Sequence, residues 1–299
     1  MKIKRKESKR KNFIPITRHT FGADAIKSVV DTIKSGWLVQ GSRVAEFEKL
    51  FCEFTGAPYA VAASSCTTAL HMSLVASGIK KGDMVVVPAF TFVATANAVE
   101  YTGARPLFCD IDLDTFNISV GHLEELLKKY RDKIKAVIPV HLFGLCADMF
   151  PVSDLSAKYG FKIIEDAACA LGAYYYGKHC GTFGMAGCFS FHPRKIITTG
   201  EGGMITVPDK KLYEYLRSLR DHGASVSDIS RHKNKSSLLP SYNIVGYNYR
   251  MTDIQASLGV SQMRHIDEKL QGRRQAAAIY NKLLKHRKLK WLIPPSAPG

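Results

Sequence analysis

Apolar residues in the first part of the chain recur at helical intervals and then give way to short β-branched runs. Ile26, Val29, Val30 and Ile33 share one face of a helix over 22–35, and Val44, Phe47, Leu50 and Phe51 do the same over 42–54. Seven apolar runs follow, at 59–63, 84–87, 106–110, 136–140, 162–165, 187–191 and 203–207. Most are separated by a helix-length stretch, as at 67–78, 92–102, 119–131 and 151–159. Strands alternating with helices predict an α/β domain whose sheet is largely parallel. A last long periodic segment, 252–286, predicts a helix leading away from that sheet, bent near Gly272.

Composition narrows the class without changing this picture. The chain has 299 residues, 46% hydrophobic and 23% charged, with 23 Gly and 12 Pro. Those proportions exclude disorder, a collagen-like repeat and a small disulfide scaffold. The most apolar stretch, 84–99, is interrupted by Pro88, Thr91, Thr95 and Asn97 and is too short to cross a bilayer, so no membrane partner is expected. The seven cysteines are odd in number and show no C-x-x-C pair, which fits a reduced, cytoplasmic compartment and indicates no metal site. Residues 1–12 contribute +6 and residues 264–290 contribute +7 of the formal +16. The basic N-terminus leads into no apolar stretch, so it reads as a solvated tail and not as a secretory signal. No basic face interleaved with aromatics appears, and nucleic acid is not an expected partner.

In open α/β sheets ligands bind at the carboxyl ends of strands. Past 59–63 lies Ser64-Ser65-Cys66-Thr67-Thr68, opening a helix; past 84–87 lies Pro88-Ala89-Phe90-Thr91-Phe92; past 162–165 lies Asp166; past 187–191 lies His192-Pro193-Arg194-Lys195. Ser65, Cys66 and Thr67 at a helix N-terminus suit a phosphate, although hydroxyl residues there commonly serve as plain caps. Asp166 suits a structural cap, or a cationic ring nitrogen that keeps a buried carboxylate ionised. Lys195 follows a buried-looking strand and precedes the glycine-rich Thr198-Thr199-Gly200-Glu201-Gly202-Gly203; burial and Arg194 would both lower its pKa and make it a nucleophilic amine. Together, a phosphate cradle, a carboxylate for a ring nitrogen and a Schiff-base lysine describe a site for pyridoxal 5′-phosphate.

These residues lie in a series of motifs: SGWLVQG (35–41), SSCTTALHMSL (64–74), PAFTFVATANAV (88–99), DIDLDTFNI (110–118), PVHLFG (139–144), IIEDAACALGA (163–173), GTFGMAGCFSFHPRKIITTGEGGM (181–204), RDHG (220–223) and GYNYRMTDIQA (246–256). In their content and order they resemble the DegT/DnrJ/EryC1/StrS aminotransferases, pyridoxal-phosphate enzymes that aminate nucleotide-linked keto-sugars. The resemblance implies a fold-type I aminotransferase with a seven-stranded mixed, mostly parallel sheet flanked by helices. It also implies a smaller C-terminal domain, of which 251–299 would be the linking helix and an incomplete part, after a basic tail at 1–12 and a large cofactor-binding domain at 13–250.

By position the resemblance makes Lys195 the Schiff-base and proton-shuttling lysine, Asp166 the partner of the pyridine nitrogen and Phe92 the ring-stacking residue. Cys66, Thr67 and Ser190 match phosphate-binding positions beside Ser65, and Asn248 is expected to reach the phosphate of a neighbouring subunit. A homodimer with shared active sites follows, with L-glutamate as amino donor and a nucleotide sugar as acceptor, in the biosynthesis of amino sugars or cell-surface polysaccharide. Three departures stand out. Cys169 occupies a cofactor-contacting position where Gln or His is usual, and Arg194 stands where a small hydroxyl residue is common. The chain also stops at Gly299, where the family continues. A truncated, catalytically impaired binding homologue is the competing reading; a related dehydratase would carry histidine in place of Lys195.

Overall fold

The computed structural model describes residues 14–225 and 241–287. The basic segment 1–12 and residues 288–299 lie outside them. Two helices open the fold, α1 (Ala23–Ser35) and α2 (Ser42–Thr55), and strands then alternate with helices. In chain order these are β1 (Tyr59–Ala63), α3 (Cys66–Ala76), β2 (Met84–Pro88), α4 (Ala94–Glu100), β3 (Arg105–Cys109), α5 (Val120–Tyr130), β4 (Ile134–Val137), α6 (Met149–Tyr159) and β5 (Lys162–Asp166). A small hairpin, β6 (Tyr174–Tyr175) and β7 (Lys178–His179), precedes β8 (Ala186–Ser190) and β9 (Gly203–Val207). Helices α7 (Lys210–Arg220), α8 (Asp253–Arg264) and α9 (Ile266–Arg287) complete the described chain.

The seven long strands form one sheet in the order β1-β9-β8-β5-β4-β2-β3. Strand β9 runs antiparallel to both neighbours, while β8, β5, β4, β2 and β3 are mutually parallel. Alternate residues of each strand feed opposite faces. Val61 and Ala63 pack with Leu70 and Leu74 of α3 and Leu216 of α7, whereas Ala60 and Ala62 pack with Phe47 and Phe51 of α2 and Val260 of α8. Helices therefore cover both faces of the sheet, as its continuously apolar strands require.

The predicted strands match to within a residue or two, and the largest difference has a local cause. The run predicted at 136–140 is strand only over Ile134–Val137. Pro139 has no N–H to give to the ladder, although its carbonyl still accepts from Asp166 N–H at 2.9 Å and Val140 still bridges Asp166. The expected bend near Gly272 is corrected: the helix is interrupted at His265, and Gly272 lies inside α9 with open space around it. An exposed glycine weakens a helix without having to kink it. Before the break, α8 is buried against α1 and α2; after it, Ile279, Tyr280 and Leu283 of α9 are exposed. No helix among the described residues is long and apolar enough to cross a membrane.

Candidate active site

The β1–β9–β8 register sets Ala63 opposite Gly203 and Gly203 opposite Ser190, so the ends of two strands flank the start of a third. Helix α3 begins immediately beyond. Its N-cap is Ser65, whose Oγ accepts from Thr68 N–H at 3.1 Å while Thr68 Oγ1 accepts from Ser65 N–H at 3.1 Å. The Ser65 hydroxyl is thus occupied as a cap. Helix geometry leaves the N–H groups of Cys66 and Thr67 without an intrahelical acceptor, at the positive end of the helix dipole.

Gly203 makes this junction possible. A Cβ there would lie 2.4 Å from Ser65 O and 2.7 Å from Cys66 N, both backbone atoms. Gly203→Ala is therefore expected to push the first turn of α3 away from β9, with a stability loss of about 1–3 kcal/mol, the usual range for overpacking. Urea denaturation of the cofactor-free protein measures it; an unchanged midpoint would show that the junction is loose.

Asp166, at the end of β5, is buried and pairs in register with Cys188 of β8. Each carboxylate oxygen receives one donor: Thr95 Oγ1 donates to Oδ2 at 2.8 Å and Ala168 N–H donates to Oδ1 at 3.1 Å. Burial pushes the carboxyl above its ordinary value, against the pull of those two hydrogen bonds, Lys195 and His141. Thr95 lies on α4, and its N–H donates to Phe92 O at 3.1 Å, which fixes Phe92 one turn ahead of it. Phe92 is 77% exposed.

Lys195 sits in a short turn, its N–H donating to His192 O at 2.9 Å. Its Nζ donates to Cys169 Sγ at 3.0 Å, and its carbonyl accepts from Arg273 Nη2 of α9 at 3.0 Å. A cavity of about 280 Å³ is lined by Phe143, Cys169, Ser190, Arg194, Lys195 and Arg273 among others. Burial pushes the Cys66 thiol well above its ordinary value, with Asp166 adding to the shift and Lys195 opposing it, so the three groups lie within electrostatic reach of one another. Ser65, Cys66, Thr67, Asp166, Cys169, Ser190 and Lys195 thus gather at one edge of the sheet. Asn248 is exposed and bridges Asp221, on a stretch whose next residue, Tyr249, accepts from Ser64 N–H at 2.9 Å.

Two participants are absent from the sequence reading. Thr95 was detectable in principle, as a hydroxyl one helical turn after Phe92. Arg273 lies outside every motif and carries no local signal. A third feature, the buried cluster of His141, Cys146 and Cys180, has candidate ligand atoms within 4.8 Å of one another and no sequence spacing that announces it. Both ring nitrogens of His141 are already engaged, Nε2 with Glu165 at 2.9 Å and Nδ1 as acceptor from Ala147 N–H at 3.1 Å. Glu165 in turn accepts from Gly181, Phe183 and Gly184 N–H, so the pair holds the turn before β8.

The donor set suits pyridoxal phosphate. Among the described residues no cation lies within ion-pair distance of the Asp166 carboxylate, which leaves a buried anion suited to a protonated ring nitrogen. The open N–H groups of α3 suit a phosphate, and Lys195 supplies the amine. Comparison with known proteins agrees. Residues 19–297 match the family model of the DegT/DnrJ/EryC1/StrS aminotransferase family. GDP-perosamine synthase of Caulobacter vibrioides is 42% identical over 257 residues, covering 86% of this chain and 66% of that protein. The aminotransferase TlmJ from Streptoalloteichus hindustanus superposes with a TM-score of 0.86 at 33% identity, over 95% of this chain and 74% of that one. Helicobacter pylori PseC, an aminotransferase of pseudoaminic acid biosynthesis, gives a TM-score of 0.83 at 30% identity, over 91% and 70%. The chain belongs to the DegT/DnrJ/EryC1/StrS family of pyridoxal-phosphate-dependent sugar aminotransferases, with their fold-type I architecture, and spans about two thirds to three quarters of the length of these relatives.

Proposed function

We propose that this protein transfers an amino group from L-glutamate to a keto-deoxysugar carried on a nucleotide. The observation that carries this reading is the convergence of the buried Asp166 carboxylate and the Lys195 amine, not bonded to each other, on a single edge beside the open first turn of α3. When bound, pyridoxal phosphate supplies a carbonyl that takes up the donor's amine and a cationic ring that accepts the electron pair released at the donor's Cα. Asp166 holds the ring nitrogen in its protonated form, and Thr95 fixes the carboxylate that does so. Phe92 covers a face of the ring. Cys66 and Thr67 N–H, with the hydroxyls of Thr67 and Ser190, bind the phosphate at the helix N-terminus. Lys195 anchors the cofactor and, as a free amine, takes up and returns one proton at Nζ.

A second copy of the chain supplies Asn248 to this site, which makes the active unit a homodimer. The nucleotide-sugar class of the acceptor is supported by GDP-perosamine synthase, the similar protein whose name specifies such a product. Amino-sugar or cell-surface polysaccharide synthesis in the cytoplasm is the setting consistent with that acceptor.

The test is the visible spectrum of the purified protein with pyridoxal phosphate, before and after L-glutamate. The expected result is a protein-bound absorption band that glutamate bleaches with stoichiometric release of 2-oxoglutarate and that a nucleotide-linked keto-sugar restores. A band that glutamate leaves unchanged would overturn the donor assignment. No bound band would overturn the enzymatic reading for this chain.

A further inference from the structure

We propose that Arg194 and Arg273 form a binding site for two carboxylates beside Lys195, and that this site makes a dicarboxylic acid the preferred amino donor. The inference rests on the proposed function for the existence of a donor and names the residues that recognise it. Both arginines line the cavity that also holds Cys169, Ser190 and Lys195, and no Asp or Glu stands in its wall. Neither has an ion-pair partner among the described residues, whereas Arg43, Arg220, Arg250 and Arg264 are each paired with a carboxylate. The buried Asp166 carboxylate acts on Lys195 from outside that wall and already has its own donors, Thr95 and Ala168.

The two guanidinium groups reach the cavity from distant parts of the chain. Arg273, on α9, donates from Nη2 to Lys195 O at 3.0 Å. That uses one of its several N–H groups and leaves the others for a ligand. Arg194 immediately precedes the lysine, and its N–H donates to His192 Nδ1 at 3.2 Å. The carbonyl of Pro193, before it, accepts from Thr17 Oγ1 at 3.3 Å and from His19 Nε2. The turn that carries Arg194 and Lys195 is therefore tied on both sides. The Arg194 side chain itself is exposed and makes no hydrogen bond to the described residues.

Size and charge select the ligand. A cavity of about 280 Å³ lies below the roughly 300–1,000 Å³ usual for drug-sized ligands, so it suits a small acid better than a whole nucleotide sugar. A guanidinium pairs with a carboxylate through two parallel N–H···O bonds. Two separately anchored guanidinium groups thus suit an acid with a carboxylate at each end. Leu171, Phe189 and Ile196 offer apolar surface to the methylenes between them. A monocarboxylate would engage one arginine and leave the other unpaired.

The test is isothermal titration calorimetry on the full cofactor-free chain at low ionic strength, where exposed charges are least screened. Glutarate is the dicarboxylate probe, because it has no amine or keto group to react; butyrate is the monocarboxylate and inorganic pyrophosphate the diphosphate. Glutarate is expected to bind about tenfold or more tightly than butyrate, the scale of one further charge-assisted pair. Arg194→Gln and Arg273→Gln should each abolish that preference, and added pyridoxal phosphate should leave glutarate bound. Equal affinity for glutarate and butyrate would overturn the proposal, as would a preference that survives Arg194→Gln. That variant decides alone if Arg273→Gln does not fold. Pyrophosphate bound as tightly as glutarate, and weakened equally by both substitutions, would instead assign the arginines to the diphosphate of the acceptor. Glutarate displaced by pyridoxal phosphate would place it in the cofactor's own site, which also overturns the proposal. The calorimetry needs no turnover. A chain that glutamate bleaches, but whose glutarate binding ignores the arginines, keeps the proposed function and loses this site. A chain that binds glutarate through both arginines without any bleaching does the reverse.

Discussion

Lys195→Ala is expected to lower kcat for amino transfer by about 10⁴-fold or more, the scale for removing a positioned group that acts as both nucleophile and acid–base. Two separate losses combine. The amine proposed to anchor the cofactor disappears, and no other amine among the described residues lies at the Cys169 wall of the cavity. Asp166, with its Thr95 and Ala168 donors, is untouched, as is the capping box that shapes the first turn of α3. Cofactor affinity is therefore expected to fall far less than kcat, because the groups proposed to hold the ring nitrogen and the phosphate are unchanged. Stability should change little, since the side chain gives up a single hydrogen bond, to Cys169. Steady-state turnover, a cofactor titration and a thermal melt on the same preparation separate these effects. A variant retaining within tenfold of wild-type kcat would remove Lys195 from the chemistry.

The parts of this fold that were readable in advance are those coded locally. Each strand of the sheet is a short, mostly apolar run, and all but the 136–140 run, which is strand over Ile134–Val137, lie within a residue of where the pattern places them. Helix α7 is not among the predicted elements, although Leu212, Leu216 and Leu219 recur at helical intervals behind the Asp209 cap, which accepts from Lys211 and Leu212 N–H. That signal was present. Strand order is different in kind. Nothing in the 203–207 segment states that it inserts antiparallel between β1 and β8; β8 is near in sequence, but β1 lies more than a hundred residues away. The break at His265 has no local sequence signal; beyond it Ile266 and Leu270 still join the core before α9 runs on into solvent.

At the site, Asp166 and Lys195 were legible because strand ends at one edge of a parallel sheet must converge, whatever the strand order. Arg273 is not, because it owes its place to a side chain reaching across from another element, and the contact of Thr95 with Asp166 likewise exists only in the fold. The Cys169–Lys195 contact shows both cases at once. Its position alone marks the residue as unusual, and only the fold shows that its partner is the lysine.

Asp166→Asn should separate catalysis from stability. The carboxyl is raised by burial in the cofactor-free protein, so the folded chain holds its proton more tightly than the unfolded chain does. Between the ordinary value of 3.8 and the raised folded value, the unfolded state releases the proton first, and stability from this group declines as pH rises. Above the folded value the penalty is complete; below 3.8 it vanishes. The asparagine carries no such penalty. Its side chain can also be satisfied, because Thr95 Oγ1 can accept from the new amide and donate instead to Thr91 Oγ1, 2.9 Å away. The cofactor-free variant is thus expected to be at least as stable as wild type at pH 7, with the difference closing in acid. Its activity should fall by about 10²–10³-fold, the usual cost of removing one preorganised electrostatic partner, because a neutral amide does not hold the ring nitrogen protonated. Paired denaturation curves at pH 4 and pH 7 test the first half, and turnover with saturating cofactor tests the second. A variant less stable than wild type at neutral pH, yet fully active, would mean that Asp166 is an ordinary structural cap of the Ala167-Ala168 turn and that another group meets the ring nitrogen.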